Sequence, residues 1–455
     1  MTLSPDTIAA LATPPGIGGI AVIRISGPKA WDVAIELSAS PRASAGGLEG
    51  VAPNTIRHTH IYNEDHELID EALISFFRAP HSYTGEDVVE ISCHGGNISS
   101  KRLLKLILSK DIRFARPGEF TERAFLNSKL DLAQAEAVAS LIHARSEAAA
   151  RAALTQLSGK LSRRIHEMRS KILDLLALLE LELDFSEEDV SFQSQESRAT
   201  DLADLQAQIQ LLISTFARGR LEREGLRVAI VGAPNAGKST LLNRIVGDDR
   251  AIVSPHPGTT RDVVEAHLEL SGHEVIFQDT AGLRDTNHEI ENIGIARART
   301  TIERADITLL LIDSATGDLP ASEMLAEIAA KAPLVVYNKS DLSHTEWPTP
   351  FPTHRGIFHI SALSGSGVEE LLAAIALTFS DDASQGGELL ITEARHHDAL
   401  LRSHTALTRA AKLFHESALQ AADLRDAANA LGEITGESIG EAILDRIFSQ
   451  FCIGK

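Results

Sequence analysis

The sequence predicts a doubly wound α/β domain inserted into an all-α helical domain and preceded by an α+β N-terminal domain. Three observations lead there. Between residues 226 and 380 short apolar runs alternate with helical stretches, the pattern of a parallel sheet covered on both faces. From about Leu130 to Phe216 glycine nearly vanishes, while alanine, leucine and charged residues dominate. The first 120 residues mix β-branched runs with turn-rich loops. The expected boundaries are 1–120 for the N-terminal domain, 121–215 for the first helical part, 216–380 for the α/β domain and 381–455 for the second helical part. A chain of 455 residues has room for roughly three domains.

The elements follow in order. Ile20 to Ile25 is a short strand closed by Ser26-Gly27-Pro28, and Ala72 to Phe77 and Val88 to Ser92 are two more. The loop from Ala79 to Gly85 lies between the last two. Ile98 to Lys110 has helical periodicity. Leu154, Leu157, Leu161, Ile165, Met168 and Ile172 recur at three and four residues, which predicts one long amphipathic helix through them. Strands are expected at Arg227–Val231, His273–Gln278, Ile307–Ile312, Leu334–Tyr337 and Ile357–Ile360. The segment from Asp381 to Gly387 reads as a linker, and the helical arms on either side of the α/β insertion are expected to pack together.

Composition narrows the function classes. Lys and Arg total 43 against 63 Asp and Glu, a net charge of −20. An acidic chain is poorly suited to broad, autonomous nucleic-acid binding, which rests on phosphate neutralisation, though a local basic patch or a basic partner fits. Two cysteines, Cys93 and Cys452, are too few for a disulfide framework and suit a reducing cytosol. No run of about 18 apolar residues is present and Met1 to Ala12 lacks a signal-peptide pattern, so a cytoplasmic protein without membrane contact is expected. Cys93, in Ile91-Ser92-Cys93-His94-Gly95-Gly96, reads as a core residue.

The chemistry is concentrated in the α/β segment. Gly232-Ala-Pro-Asn-Ala-Gly237-Lys238-Ser239 fits the phosphate-loop template, after a buried strand and before a helix. Its glycines let backbone amides face phosphate oxygens at a helix N-terminus. Lys238 supplies a point charge and Ser239 a hydroxyl for Mg2+. Downstream, Gly258-Thr259-Thr260 sits in a proline-flanked loop, where a threonine can complete magnesium coordination. Asp279-Thr280-Ala281-Gly282 ends a strand, its aspartate suited to the metal's water shell and its glycine amide to the γ-phosphate. Asn338-Lys339-Ser340-Asp341 ends a later strand, and a carboxylate there accepts two hydrogen bonds from a guanine edge. Ser361-Ala362-Leu363 can aim an amide at the guanine oxygen. In this order and at strand ends, the segments specify a GTPase with a P-loop. The candidate GTP contacts are Asn235, Ala236, Gly237, Lys238, Ser239 and Thr240; Ser254, Pro255, His256, Pro257, Gly258, Thr259 and Thr260; Asp279, Thr280, Ala281 and Gly282; and Asn338, Lys339, Asp341, Ser361 and Ala362. Ser239 and Thr260 are the candidate Mg2+ ligands.

Leu283 follows Ala281-Gly282 where many small GTPases carry a water-orienting glutamine, so another group must do that work. Asp285, Glu289 and Glu291 are all placed for it.

Further motifs lie outside the nucleotide core. Thr13-Pro14-Pro15-Gly16, Arg24-Ile25-Ser26-Gly27, Tyr83-Thr84-Gly85-Glu86-Asp87, Arg116-Pro117-Gly118-Glu119-Phe120, Ala124-Phe125-Leu126-Asn127, Lys129-Leu130-Asp131-Leu132 and the terminal Phe451-Cys452-Ile453-Gly454-Lys455 occur along the chain. With the inserted GTPase they resemble the MnmE (TrmE) family of tRNA-modification GTPases over essentially the whole length. The resemblance implies a P-loop GTPase (G) domain inserted into an all-α helical domain, preceded by a folate-binding-like and dimerising α+β N-terminal domain. It implies a homodimer working with an FAD-binding partner, MnmG (GidA), to build an aminomethyl-type (5-carboxymethylaminomethyl) group on carbon 5 of the tRNA wobble uridine. A tetrahydrofolate derivative, 5-formyl or 5,10-methylene, is the implied one-carbon donor. K+ is the implied activator, held by Asn235, Ser254, His256 and Thr259, and Glu291 is the implied catalytic acid. Arg24, Glu90, Lys129 and Lys455 are the implied folate contacts, and Cys452 is implied in the modification. The core motifs alone also suit a GTP-gated assembly or trafficking switch acting as a binding module. The terminal Cys-Ile-Gly-Lys and the N-terminal residues separate the two readings.

Overall fold

The computed structural model describes residues 6–38, 48, 50–184, 194–247, 264–279, 298–342, 347–348, 350–379, 389–413 and 416–455. They form two compact units. One comprises residues 1–139, 156–206 and 402–455, and the other 140–155 and 207–401.

The first unit begins with a six-stranded sheet. Its strands are β1 (Ile8–Leu11), β2 (Ile20–Ser26), β3 (Thr55–Tyr62), β4 (Leu68–Phe77), β5 (Val88–His94) and β6 (Arg113–Phe114), in the order β3-β4-β5-β2-β1-β6. Alternate residues point to opposite faces of a strand. Ile23, Ile25, Ile74, Phe76, Val89 and Ile91 therefore share one face. There they pack against Trp31, Val33 and Leu37 of α1 (Ala30–Ser38) and Leu103 and Ile107 of α2 (Ser99–Leu108). Cys93 is buried in the same core, as expected. The opposite face carries Arg24, Glu90, Ser92, His94, Leu73 and Ser75, all half-buried or exposed.

Helices follow: α3 (Glu119–Leu126), α4 (Leu132–His143), α5 (Glu147–Leu157), α6 (Lys160–Asp184), α7 (Gln195–Ser214) and α8 (Phe216–Glu224). The single long helix expected through Leu154 to Ile172 is two. Gly159 adopts φ +76°, the left-handed conformation that ends a helix, and α6 starts afresh after it. Leu161, Ile165, Met168 and Ile172 are buried as the periodicity predicts, but Leu154 is exposed.

The second unit contains β7 (Leu226–Gly232), α9 (Lys238–Gly247), β8 (Val264–Leu270), β9 (His273–Asp279), β10 (Ile307–Asp313), α10 (Ser322–Ala330), β11 (Leu334–Asn338), β12 (Gly356–His359) and α11 (Val368–Ala376). The strand order is β12-β11-β10-β7-β9-β8. All pairings are parallel except β8 with β9, a hairpin turned by Ser271 and Gly272, both at positive φ. Val228, Ile230, Leu309 and Leu311 pack with Leu241, Ile245, Leu371 and Ile375, while Val231, Leu310 and Ile312 pack with Met324 and Ile328. The sheet is thus covered on both sides, which is why its central strands are continuously apolar. Strands β1, β3, β6 and β8 go beyond the sequence expectation.

The chain ends in α12 (Ala394–Ala410), α13 (Ser417–Thr435) and α14 (Glu441–Phe448). Helix α13 packs along α6, with Arg169 Nε donating to Ala428 O at 3.2 Å. The two helical arms meet as expected. The linker expected at 381–387 lies outside the described residues. Among the described residues no helix is long and apolar enough to cross a membrane.

Candidate active site

Strand β7 delivers the chain into the phosphate loop and α9 leaves it. Two positive-φ residues, Asn235 (φ +63°) and Gly237 (φ +99°), curl the backbone between them. Only glycine fits at 237, because a Cβ there would lie 2.2 Å from Asn338 Nδ2. Lys238 is 7% exposed and folds back on the loop, donating to Gly232 O at 2.8 Å and Ala233 O at 2.9 Å. Burial pushes its ammonium below the ordinary lysine value, and the nearby Asp279 carboxylate only partly offsets this. The Ser239 hydroxyl donates to Asp279 Oδ2 at 2.9 Å, joining the start of α9 to the end of β9. Thr240 and Asn235 are exposed. Among the described residues no group of three or more His, Cys, Asp or Glu side chains is arranged to hold a metal. A hydroxyl–carboxylate pair is nevertheless the donor set magnesium takes, with water and phosphate oxygens completing an octahedron.

At the ends of β11 and β12 two further loops converge on the same edge of the sheet. Asn338 is 2% exposed; its Nδ2 donates to Ala236 O at 2.8 Å and its Oδ1 accepts the Ala362 amide at 2.9 Å. One side chain therefore joins the phosphate loop to the Ser361-Ala362-Leu363 loop. Lys339, at φ +63°, reaches Asp313 Oδ2 at 2.6 Å. Burial raises the Asp313 pKa, but Lys339 and the Ala315 amide outweigh it and hold the carboxyl below its usual range. Asp341 is exposed. Arg244 on α9 donates through Nε to Ala362 O at 3.3 Å and through Nη2 to Leu363 O. Asp313 and Arg244 were not singled out by the motifs. Asp313 ends an apolar strand, which is the one signal that could have marked it.

The N-terminal sheet carries a second cluster. Arg24 and Glu90 are register partners on β2 and β5, with Nε to Oε1 at 2.8 Å. The Arg24 guanidinium sits over the rings of Tyr83 and Phe120, 5.2 and 5.6 Å from their centroids. Tyr83 Oη lies 2.9 Å from Thr121 Oγ1, and burial raises its pKa. Lys129 Nζ donates to Pro80 O at 3.0 Å, in the same 79–87 loop. The C-terminal tail reaches this loop's neighbour, α3. The Phe120 amide donates to Lys455 O at 3.2 Å and the Gly118 amide to Cys452 O at 3.4 Å. Phe448 and Phe451 anchor the tail, being 2% and 6% exposed, whereas the Cys452 side chain is exposed. Arg24, Glu90, Lys129 and Lys455 are thus gathered around Tyr83 and α3.

The motifs did not reveal what braces this region. Arg123, 3% exposed, pairs with Asp6 at 2.8 Å, Glu86 at 3.0 Å and Glu119 at 3.2 Å. Burial favours protonation of Glu119, but Arg113, the Arg116 amide and Arg123 prevail and keep it ionised. Glu119 does lie within the Arg116-to-Phe120 block quoted from the sequence. Ser254, Pro255, His256, Pro257, Gly258, Thr259 and Thr260 lie outside the described residues, as do Thr280, Ala281, Gly282, Leu283, Asp285, Glu289 and Glu291.

Comparison with known proteins matches these features. Residues 7–129 match the family model "GTP-binding protein TrmE N-terminus", and residues 132–452 match "MnmE helical domain". The tRNA modification GTPase MnmE of Heliobacterium modesticaldum is 43% identical over 466 residues, covering 99% of both chains. Those of Moorella thermoacetica and Clostridioides difficile are 45% and 40% identical, each covering 99% of this chain and 99% of its own. Among solved structures, Era of Aquifex aeolicus is 29% identical across 40% of this chain and 66% of its own, with a TM-score of 0.27. An N-terminal domain, a P-loop GTPase core and a helical domain, with relatives this similar along their full length, place the chain in the MnmE/TrmE family of tRNA-modification GTPases, GTP hydrolases that bind GTP with Mg2+.

Proposed function

We propose that this chain is a potassium-stimulated GTPase, active as a cytoplasmic homodimer. With an FAD-binding MnmG (GidA) partner it takes part in forming the 5-carboxymethylaminomethyl-type group on the wobble uridine of tRNA. The observation that carries this reading is the docking of the Cys452–Lys455 tail on α3, beside Arg24 and Glu90. A GTPase serving only as an assembly switch needs no such second cluster.

In the nucleotide site, Lys238 leaves the Gly232 and Ala233 carbonyls to meet the β- and γ-phosphates. Ser239 and Thr260 hold Mg2+, with Asp279 steadying its water shell. Asp341 reads the guanine edge, Lys339 flanks the base, and Ser361 and Ala362 close over it. Asn235, Ser254, His256 and Thr259 would hold K+, whose charge supplies the stabilisation that an arginine finger gives other GTPases. Glu291 orients the attacking water. In the N-terminal site, Glu90 suits the amino–amide edge of a pterin. Arg24, Lys129 and Lys455 suit the carboxylates of a reduced folate, 5-formyl or 5,10-methylene. Cys452 takes part in the modification from the tail.

Mass spectrometry of tRNA nucleosides from cells lacking the protein tests the reading. Loss of the modified wobble uridine is expected, and an unchanged nucleoside profile overturns it. Equal GTP turnover in KCl and NaCl at one ionic strength would remove the potassium mechanism alone.

A further inference from the structure

Asp70 on β4 has a side chain only 7% exposed and holds its neighbours tightly. Its Oδ1 accepts the Glu71 amide at 2.8 Å and lies 2.6 Å from His94 Nδ1. Its Oδ2 accepts the Ser99 hydroxyl at 2.6 Å and the His94 amide at 3.1 Å. This buried carboxylate fixes one imidazole, yet 72% of the His94 side chain remains exposed. An aspartate at Nδ1 sets the ring's orientation and leaves Nε2–H as the outward donor. The hydrogen bond and charge of Asp70, with a contribution from Glu71, also favour the protonated ring. The backbone beneath is equally constrained. The Gly95 amide donates to Gly19 O at 3.1 Å, and a Cβ on Gly95 would lie 2.4 Å from Gly18 O.

The position of this ring gives it a task. Glu90, Ser92 and His94 share one face of β5, and across β2 their register partners are Arg24, Val22 and Ile20. Four residues of strand place His94 about 13 Å from Glu90. That is farther than a two-ring pterin reaches and suits the glutamyl end of a molecule whose pterin lies at Glu90. Val22, Ser92 and Leu73 floor the face between them. The tail lies at the near end of the same sheet: Ala12 N donates to Val22 O at 2.7 Å, and Gly454 sits against Leu11 O.

We propose that His94, held by Asp70 and Ser99, is a ligand-contacting residue of the N-terminal site, its Nε2–H donating to a glutamyl carboxylate of the bound reduced folate. This rests on the folate reading of Arg24 and Glu90 and adds the residue that recognises the far end of the molecule.

Calorimetry on the full chain tests it with two probes, 5-formyltetrahydrofolate and the same pteroyl compound lacking glutamate. Wild type is expected to bind the glutamate-free compound about tenfold more weakly, the scale of one charge-assisted hydrogen bond. His94→Gln is expected to bind the folate about tenfold more weakly and the glutamate-free compound as wild type does, with unchanged GTP hydrolysis as the check on folding. If His94→Gln keeps the full discrimination, the proposal fails while the folate reading stands. If wild type binds neither probe, the folate reading itself fails and takes this proposal with it.

Discussion

Asn338 Nδ2 donates to the carbonyl of Ala236 across 2.8 Å, so the loop that reads the base is tied to the loop that holds phosphate. The same side chain accepts the Ala362 amide, and it is almost wholly buried. Removing it leaves a carbonyl and an amide without partners in a dry place. Asn338→Ala is therefore expected to cost about 1–3 kcal/mol of stability. It should also lower GDP affinity, because both loops lose a common brace. Thermal unfolding and calorimetry measure the two effects. Unchanged GDP affinity would mean that the tie does not serve the nucleotide.

Base choice rests on Asp341, exposed just beyond the buried Asn338. A carboxylate accepts two hydrogen bonds from the amino–imino edge of guanine. Asp341→Asn turns one acceptor into a donor, which opposes guanine and matches xanthine. The variant should bind GTP at least tenfold more weakly and gain affinity for xanthosine triphosphate, as competition binding would show. Retained preference for GTP would assign the base-reading role elsewhere.

How much of this was legible in the sequence depends on the kind of signal. Phosphate-loop residues are readable because Gly237 must lack a side chain and Lys238 must carry charge, at a fixed spacing. Strands β7, β10 and β11 are readable because both of their faces are buried, which demands unbroken apolar runs. Strands β3 and β8 are harder. In β3 mostly exposed positions, including Arg57, His58 and His60, interrupt the apolar pattern, and β8 alternates glutamate and histidine with its apolar residues. The break between α5 and α6 was hidden because leucine spacing continues across Gly159, while the left-handed turn is a backbone property. Asp70 and His94 lie 24 residues apart, and only the pairing of β4 with β5 brings them together.

Lys238 links the phosphate site to pH. Its ammonium is destabilised by burial in the nucleotide-free chain, and phosphate oxygens would restore the ordinary lysine range or exceed it. Between the two values binding must take up a proton. Affinity for GDP is thus fully present below the depressed pKa and declines as pH rises through it. Calorimetry in buffers of different ionisation enthalpy should register proton uptake in alkaline solution, and Lys238→Met should abolish it. No buffer dependence for the wild-type chain would show that the lysine's protonation is unaltered by phosphate.

The tail offers the sharpest separation of the two sites. Gly454 stands at φ +93°, and a Cβ there would lie 2.3 Å from Leu11 O, a backbone atom that cannot swing aside. Gly454→Ala combines that clash with a left-handed conformation that costs a side-chain-bearing residue about 1–2 kcal/mol. The short tail should leave its seat on α3. GTP hydrolysis is expected to persist, whereas tRNA modification should fall at least tenfold, the scale set by that cost. A thiol reagent gives an independent reading of the release. Burial, with Asp70 nearby, pushes the Cys93 thiol up to about 11, so at pH 8 only about a thousandth of it is thiolate. Labelling then reports on Cys452, and its rate should change in Gly454→Ala. If modification survives while the labelling rate shifts, docking of the tail is not what the reaction requires.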